Sequence, residues 1–241
     1  SNWRTGIIYN LSDDLVVYGQ YATGSDPLGS LITTSASQID FDLSDGKQWE
    51  IGLKQQFANG RGQWTLAWYD IRKRKLLSRD PDNPTITQQV GERSARGVEA
   101  AFAFELAQGW HFNANATALR ARFEDFKEVS GGTLISRDGR VPAGIPERTA
   151  NLWLSWQPHA DWSATLGMRY VGKRYVNNAN SAAVDSYQVW DAGLHWYATD
   201  NMRLALRVFN LTDELYTTSS STAQWRVAQP RSWELSADFR F

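Results

Sequence analysis

The 241-residue chain contains no cysteine. That excludes a disulfide framework, a thiol nucleophile and a Cys-ligated zinc site. It has no apolar run near the roughly 20 residues that a membrane-spanning helix needs; the longest apolar patch is AAFAF at 100–104. Net charge is −1, which gives no broad attraction for nucleic acid. The first ten residues, SNWRTGIIYN, lack the basic start and apolar core of a signal peptide. An exported protein would therefore have its N-terminal part missing or removed. The three histidines, His111, His159 and His195, show no ligand spacing and read as wetted or hydrogen-bonded side chains.

What is abundant is tryptophan, 12 in all, set within period-two patterning. In DWSATLGMRY, Trp162, Ala164, Leu166, Met168 and Tyr170 fall on one face; Ser163, Thr165, Gly167 and Arg169 fall on the other. NMRLALRVF, WDAGLHWY, KQWEIGLKQQF, RGVEAAFAFEL, WHFNANATA and TANLWLSW alternate likewise, with Trp153 an exception. Helical spacing near 3.6 is not present in these segments. Eleven strands are predicted, near 2–10, 14–22, 47–57, 62–72, 94–106, 109–123, 147–157, 161–173, 187–197, 201–209 and 231–241.

The connections alternate too. Short ones (NLSDD, FANGRG, LAQG, QPHAD, ATDN) separate long ones near 22–46, 73–93, 124–146, 174–186 and 210–230. Tight turns at one end and long loops at the other mark an outer-membrane barrel. A soluble β-sandwich also alternates, but two features favour the barrel. The polar face carries Arg169, Arg203, Arg207, Glu99, Glu50, Lys54, Asp191 and Glu234, as a wet lumen would. Trp64, Trp110, Trp156, Trp162 and Trp196 sit beside the short turns, as an interfacial girdle would. Eight residues of tilted strand cover roughly 20 Å of membrane height. The fold class expected is all-β: an antiparallel transmembrane β-barrel.

Eleven strands put the first and last edges in the same direction, and an antiparallel barrel cannot close that way. An open edge in lipid leaves backbone groups unsatisfied. Eleven is half of 22, the size of plugged outer-membrane transporters.

The ordered landmarks VYGQYATGSDP (17–27), EIGLKQQF (50–57), SARGVEAAF (94–102), PERTANLWLSW (146–156), LGMRYVGKRYVNN (166–178), VFNLTDELY (208–216) and PRSWELSADFRF (230–241) cover nearly the whole chain. Together they resemble the C-terminal half of TonB-dependent receptors, of the ferric-siderophore type. The resemblance implies that residues 1–241 are the C-terminal part of a 22-stranded barrel in a Gram-negative outer membrane. The plug domain, the TonB box and the N-terminal strands would lie outside it. It implies a ferric siderophore as transported ligand with no directly bound cofactor, coupling to the TonB complex through the plug, and contact with outer-membrane lipid and lipopolysaccharide. The closing strand resembles the signal read by the barrel assembly machinery, through Trp233, Leu235, Phe239 and Phe241.

Bulky anionic aromatic chelates suit Arg beside Tyr or Trp on outer loops. The candidate pairs are Arg174 with Tyr175 and Trp225 with Arg226, followed by Arg79 and Arg148. SRDPDNPT reads as a solvated loop rather than a Ca²⁺ site. The sequons at Asn115 and Asn210 read as chance, and the RKRK run at 72–75 as a solvated strand end. Two other functions fit the composition: a self-contained pore or adhesin of ten or twelve strands, and an outer-membrane enzyme. The second needs a Ser/His or Asp/His constellation, which the sequence does not present, so the expectation is a non-enzyme.

Overall fold

A computed structural model describes residues 2–26, 41–79, 87–220 and 224–240. Among the described residues every regular element is a strand. They are β1 (Arg4–Asn10), β2 (Leu15–Asp26), β3 (Ser44–Phe57), β4 (Gly62–Arg79), β5 (Thr87–Ala107), β6 (Trp110–Asp125), β7 (Lys127–Ser130), β8 (Thr133–Ser136) and β9 (Arg148–His159). The rest are β10 (Trp162–Val171), β11 (Arg174–Tyr175), β12 (Ala183–Val184), β13 (Tyr187–Thr199), β14 (Met202–Phe209), β15 (Thr217–Ser220), β16 (Trp225–Val227) and β17 (Ser232–Phe239).

Eleven strands form one sheet in the order β1-β2-β3-β4-β5-β6-β9-β10-β13-β14-β17, and β1 and β17 are its unpaired edges. Every neighbouring pair is antiparallel. This is the meander expected from the alternating connections.

Alternation holds across the sheet as well as along it. One lateral row runs Trp64, Phe102, Ala114, Leu152, Met168, Trp190 from β4 to β13. The adjacent row runs Thr65, Ala101, Asn115, Asn151, Arg169, Val189. The first face is apolar and exposed, with Trp49, Ile51, Leu235 and Trp233 among its side chains. The second is polar, and Asn151 donates to Asn115 across it at 2.9 Å. Exposed apolar area of this extent would not persist in water and identifies the face that meets lipid.

Aromatic rings close both rims of the apolar face. At the tight-turn end Trp110 stacks on Trp156 at 5.4 Å and Trp162 on Trp196 at 5.5 Å. Each such pair adds about 0.5–1.5 kcal/mol beyond its burial. At the other end Trp3, Tyr21 and Trp49 form a tilted series with centroids 5.0 and 4.5 Å apart. Trp153 breaks the pattern for a local reason. It lies on the polar face over Gly167, where an added Cβ would stand 2.6 Å from its ring. Gly109 is held at φ +76°, and a Cβ there would collide with the Gln157 carbonyl.

The long connections are more ordered than their sequence suggests. The segment 73–93, read as a loop, is mostly ladder: β4 continues to Arg79 and β5 starts at Thr87. β2 and β3 likewise extend into 22–46, as far as Asp26 paired with Ser44. Above the membrane both faces of a strand are wetted, so period-two hydrophobicity disappears while the backbone ladder continues. Lys75 at φ +56° accompanies a register shift in the tall hairpin. Three smaller hairpins, β7–β8, β11–β12 and β15–β16, occupy the remaining long connections.

Candidate functional site at the long-loop end

The β10–β13 connection and the β15–β16 hairpin meet over the polar face. Arg174 Nη2 donates to the Thr217 carbonyl at 2.7 Å and Nη1 to the Thr218 carbonyl at 3.4 Å. Its guanidinium lies 5.7 Å from the Tyr187 ring centroid. Tyr187 stacks on Tyr216 at 4.2 Å, and Arg169 Nη2 donates to the Tyr216 hydroxyl at 3.2 Å. The result is a stack of two tyrosines between two arginines. Arg174 and the Trp225–Arg226 pair therefore belong to one assembly. The Arg226 carbonyl accepts from Thr218 Oγ1 at 3.2 Å, while Trp225 stays 58% exposed. Arg169, Tyr187 and Tyr216 were not singled out from the sequence. Their joint position depends on a loop returning over β10 and β13, which no local spacing encodes.

The other candidates lie elsewhere. Tyr175 sits beside Lys173, whose Nζ is 5.9 Å from its ring, and its carbonyl accepts from Gly144 N at 2.8 Å. Arg148 opens β9 in register with Ala118, on the outward row. It is separated by the sheet from the tyrosine stack. Arg79 ends β4 opposite Thr87 on the tall hairpin, and its side chain is outside the described residues. So is the segment 80–86, which holds Asp80, Asp82 and Asn83 of SRDPDNPT. Trp233, Leu235 and Phe239 lie exposed on the apolar face of the β17 edge; Phe241 is outside the described residues.

Polar side chains hold the loops to one another. Asn180 Nδ2 donates to the Val141 carbonyl at 2.8 Å and its Oδ1 accepts from Val141 N at 2.9 Å. Glu128 receives Arg137 Nε at 2.8 Å and Asn178 Nδ2 at 2.9 Å. Lys75 Nζ lies 3.0 Å from Asp42 Oδ2, and the hydrogen bond to that carboxylate holds the ammonium above its ordinary pKa. Asn210, read as a chance sequon, has a structural task. Its φ is +52°, and its buried amide donates to the Glu214 and Gln229 carbonyls. Asparagine tolerates this left-handed backbone better than most residues. Asn115, the other sequon residue, accepts from Asn151 Nδ2 through its side-chain oxygen at 2.9 Å. No group of three His, Asp or Glu side chains able to hold a metal occurs among the described residues.

The polar face below the stack carries ion pairs. Arg203 faces Asp238 at 2.7 Å and Arg207 faces Glu234 at 2.6 Å across β14 and β17. A polar, charged inner face, an apolar outer face with two aromatic rims, and layered loops at one end define a wall of the outer-membrane β-barrel type.

The chain belongs to the TonB-dependent receptor family: residues 1–211 match the domain described as "TonB dependent receptor-like, beta-barrel". It is 26% identical to the probable TonB-dependent siderophore receptor PiuA of Acinetobacter baumannii, over 99% of this chain and 34% of that protein. It is 27% identical to the catecholate siderophore receptor Fiu of Escherichia coli, over all of this chain and 32% of that protein. The crystal structure of PiuA superposes with a TM-score of 0.87 at 25% identity, over 99% of this chain and 35% of that one. The chain thus spans about a third of the length of the curated relatives it matches.

Proposed function

We propose that this chain is the C-terminal part of the barrel of a receptor that takes up ferric siderophores across the outer membrane. In this reading residues 1–241 supply eleven strands of a 22-stranded wall. A plug and further strands, encoded elsewhere in the receptor, complete it and couple it to TonB. The ligand is a ferric chelate, and the protein is a transporter rather than an enzyme. Trp233, Leu235, Phe239 and Phe241 serve as the strand signal for the barrel assembly machinery.

The observation that carries the reading is the Arg174–Tyr187–Tyr216–Arg169 stack, tied through Thr217 and Thr218 to the hairpin that carries the exposed Trp225. Aromatic faces and guanidinium groups together suit an anionic chelate built from aromatic iron ligands. Arg174 is already committed to two backbone carbonyls and holds the hairpin in place. Trp225 and Arg226 carry the exposed surface that meets ligand; Tyr175 and Arg79 take secondary contact, and Arg148, on the outward row, takes none. The intact receptor carrying Trp225→Ala with Arg226→Ala should bind a ferric catecholate about tenfold or more weakly, measured by quenching of intrinsic fluorescence. Unaltered affinity would remove both residues from the site.

A further inference from the structure

Trp153 breaks the alternation of β9, and the outer assembly does not use it. The other tryptophans of the eleven-stranded sheet lie on the apolar face. Trp153 lies on the polar face, in register with Asn113 on β6 and Gly167 on β10. Three successive carbons of its six-membered ring would stand 2.6, 2.8 and 2.8 Å from a Cβ added at Gly167. Nearly equal distances to neighbouring atoms mean that the ring lies face-down on the glycine. Its other face is turned to the lumen, and the residue stays 47% exposed. Any flat apolar side chain would cover Gly167; an indole also offers a π-face on its open side.

The open face continues the outer assembly downward. Arg169 is two residues beyond Gly167 on β10, one row nearer the loops, in register with Asn151 on β9. It is the arginine that donates to the Tyr216 hydroxyl at 3.2 Å and ends the tyrosine stack. Its remaining N–H groups have no hydrogen bond or ion pair among the described residues. The neighbouring polar groups are already engaged. Asp191, across from Gly167 on β13, accepts from the Asn210 backbone N–H at 2.8 Å. Asn151 donates to Asn115 at 2.9 Å. A guanidinium with free donors and an open aromatic face therefore lie one row apart on the inner wall, just below the loops.

We propose that Trp153 and Arg169 form a second station for the ligand inside the barrel, reached after it leaves the outer loops. An aromatic ring of the chelate stacks on the open face of Trp153, and an anionic oxygen beside that ring takes the free donors of Arg169. Passage through a pore needs contacts favourable enough to enter and weak enough to leave. A single stacked ring with one shared guanidinium meets that need. The station sets how fast the chelate crosses the wall, not how tightly the loops hold it. The proposal rests on the reading of the protein as a ferric-chelate receptor.

The test uses cells expressing the intact receptor, with a radiolabelled ferric catecholate as the probe. Uptake rate is followed against chelate concentration, and affinity is read by fluorescence quenching of the purified receptor. Trp153→Leu keeps an apolar cover on Gly167 and removes the π-face; Trp153→Phe keeps both. The leucine variant should lower the maximal uptake rate about three- to tenfold, with half-saturating concentration and affinity unchanged. The phenylalanine variant should keep most of the rate. Heat-modifiable gel mobility checks folding, and Trp153→Met, which also lacks a ring, replaces a leucine variant that does not fold. Undiminished uptake by the ringless variant would overturn the proposal. So would equal slowing in the phenylalanine variant, which marks a packing role, or a weakened affinity, which puts Trp153 in the outer site. Entry of a large antibiotic that the outer membrane excludes should stay at the wild-type level; a rise would mean that Trp153 holds the plug instead. Wild-type receptor that neither binds nor imports the chelate would sink the receptor reading itself, and this station with it.

Discussion

The two faces of this sheet place arginine in opposite ways. On the inner face, Arg203 and Arg207 each face an acidic residue on the neighbouring strand. On the outer face, Arg96 faces Arg120. The inner charges satisfy one another in a wet space. On the outer row Asp70 takes Arg96 at 2.6 Å, and the exposed Arg120 side chain has no ion pair or hydrogen bond among the described residues. The same residue type thus meets a carboxylate across the strands in one place and another guanidinium in the other. The sequence alternation assigns the faces, but only the cross-strand register separates these two uses.

The sharpest way to break the comparison is to move a charge between faces. Leu166 is midway between Trp162 and Tyr170 on the outer face, and Thr165 next to it points inward. Leu166→Arg should cost about 2–4 kcal/mol, measured by urea unfolding of the intact receptor in vesicles. Thr165→Arg should cost well under half as much; equal losses would reverse the face assignment. A smaller effect tests volume rather than charge. Gly167→Ala pushes a methyl group against Trp153 on the inner face and should cost about 1 kcal/mol. Adding Trp153→Ala should abolish that increment in a double-mutant cycle, and simple additivity would mean the two do not touch. The smallest effects bear on the arginines themselves. Glu234→Gln should destabilise by a few tenths of a kcal/mol, since the pair with Arg207 is exposed. Arg120→Ala should instead be neutral or slightly stabilising by removing its like-charge repulsion with Arg96. A loss as large as that from Glu234→Gln would mean Arg120 already has a partner within the wall.

Much of the fold was legible because the membrane imposes one rule on every spanning strand. Eleven segments alternated, and all eleven are in the sheet. The rule lapses above the membrane. RKRKLLSR continues as strand with no apolar stripe to announce it, and the β7–β8, β11–β12 and β15–β16 hairpins are equally unmarked. The candidate site was legible only in part. Arg174 and the Trp225–Arg226 pair were chosen as cations beside aromatics, and they share one assembly. Tyr187 and Tyr216 are 29 positions apart and meet only because the last long connection folds back. Arg148 was placed with the ligand by composition, whereas its register with Ala118 puts it on the lipid side. NLTD looked like a sequon; its asparagine is a buried left-handed hinge whose amide cannot be spared.

The paired charges on β14 and β17 also carry information about assembly. If the final strand slipped by two residues, both faces would keep their hydrophobic pattern, so greasy side chains alone could not detect the error. In one direction Arg203 would then stand opposite Arg240, cation against cation. In the other, Arg203 and Arg207 would each meet a serine, Ser236 and Ser232. Only the observed alignment gives both arginines a carboxylate. The two ion pairs work as a key that proofreads how the last strand is threaded.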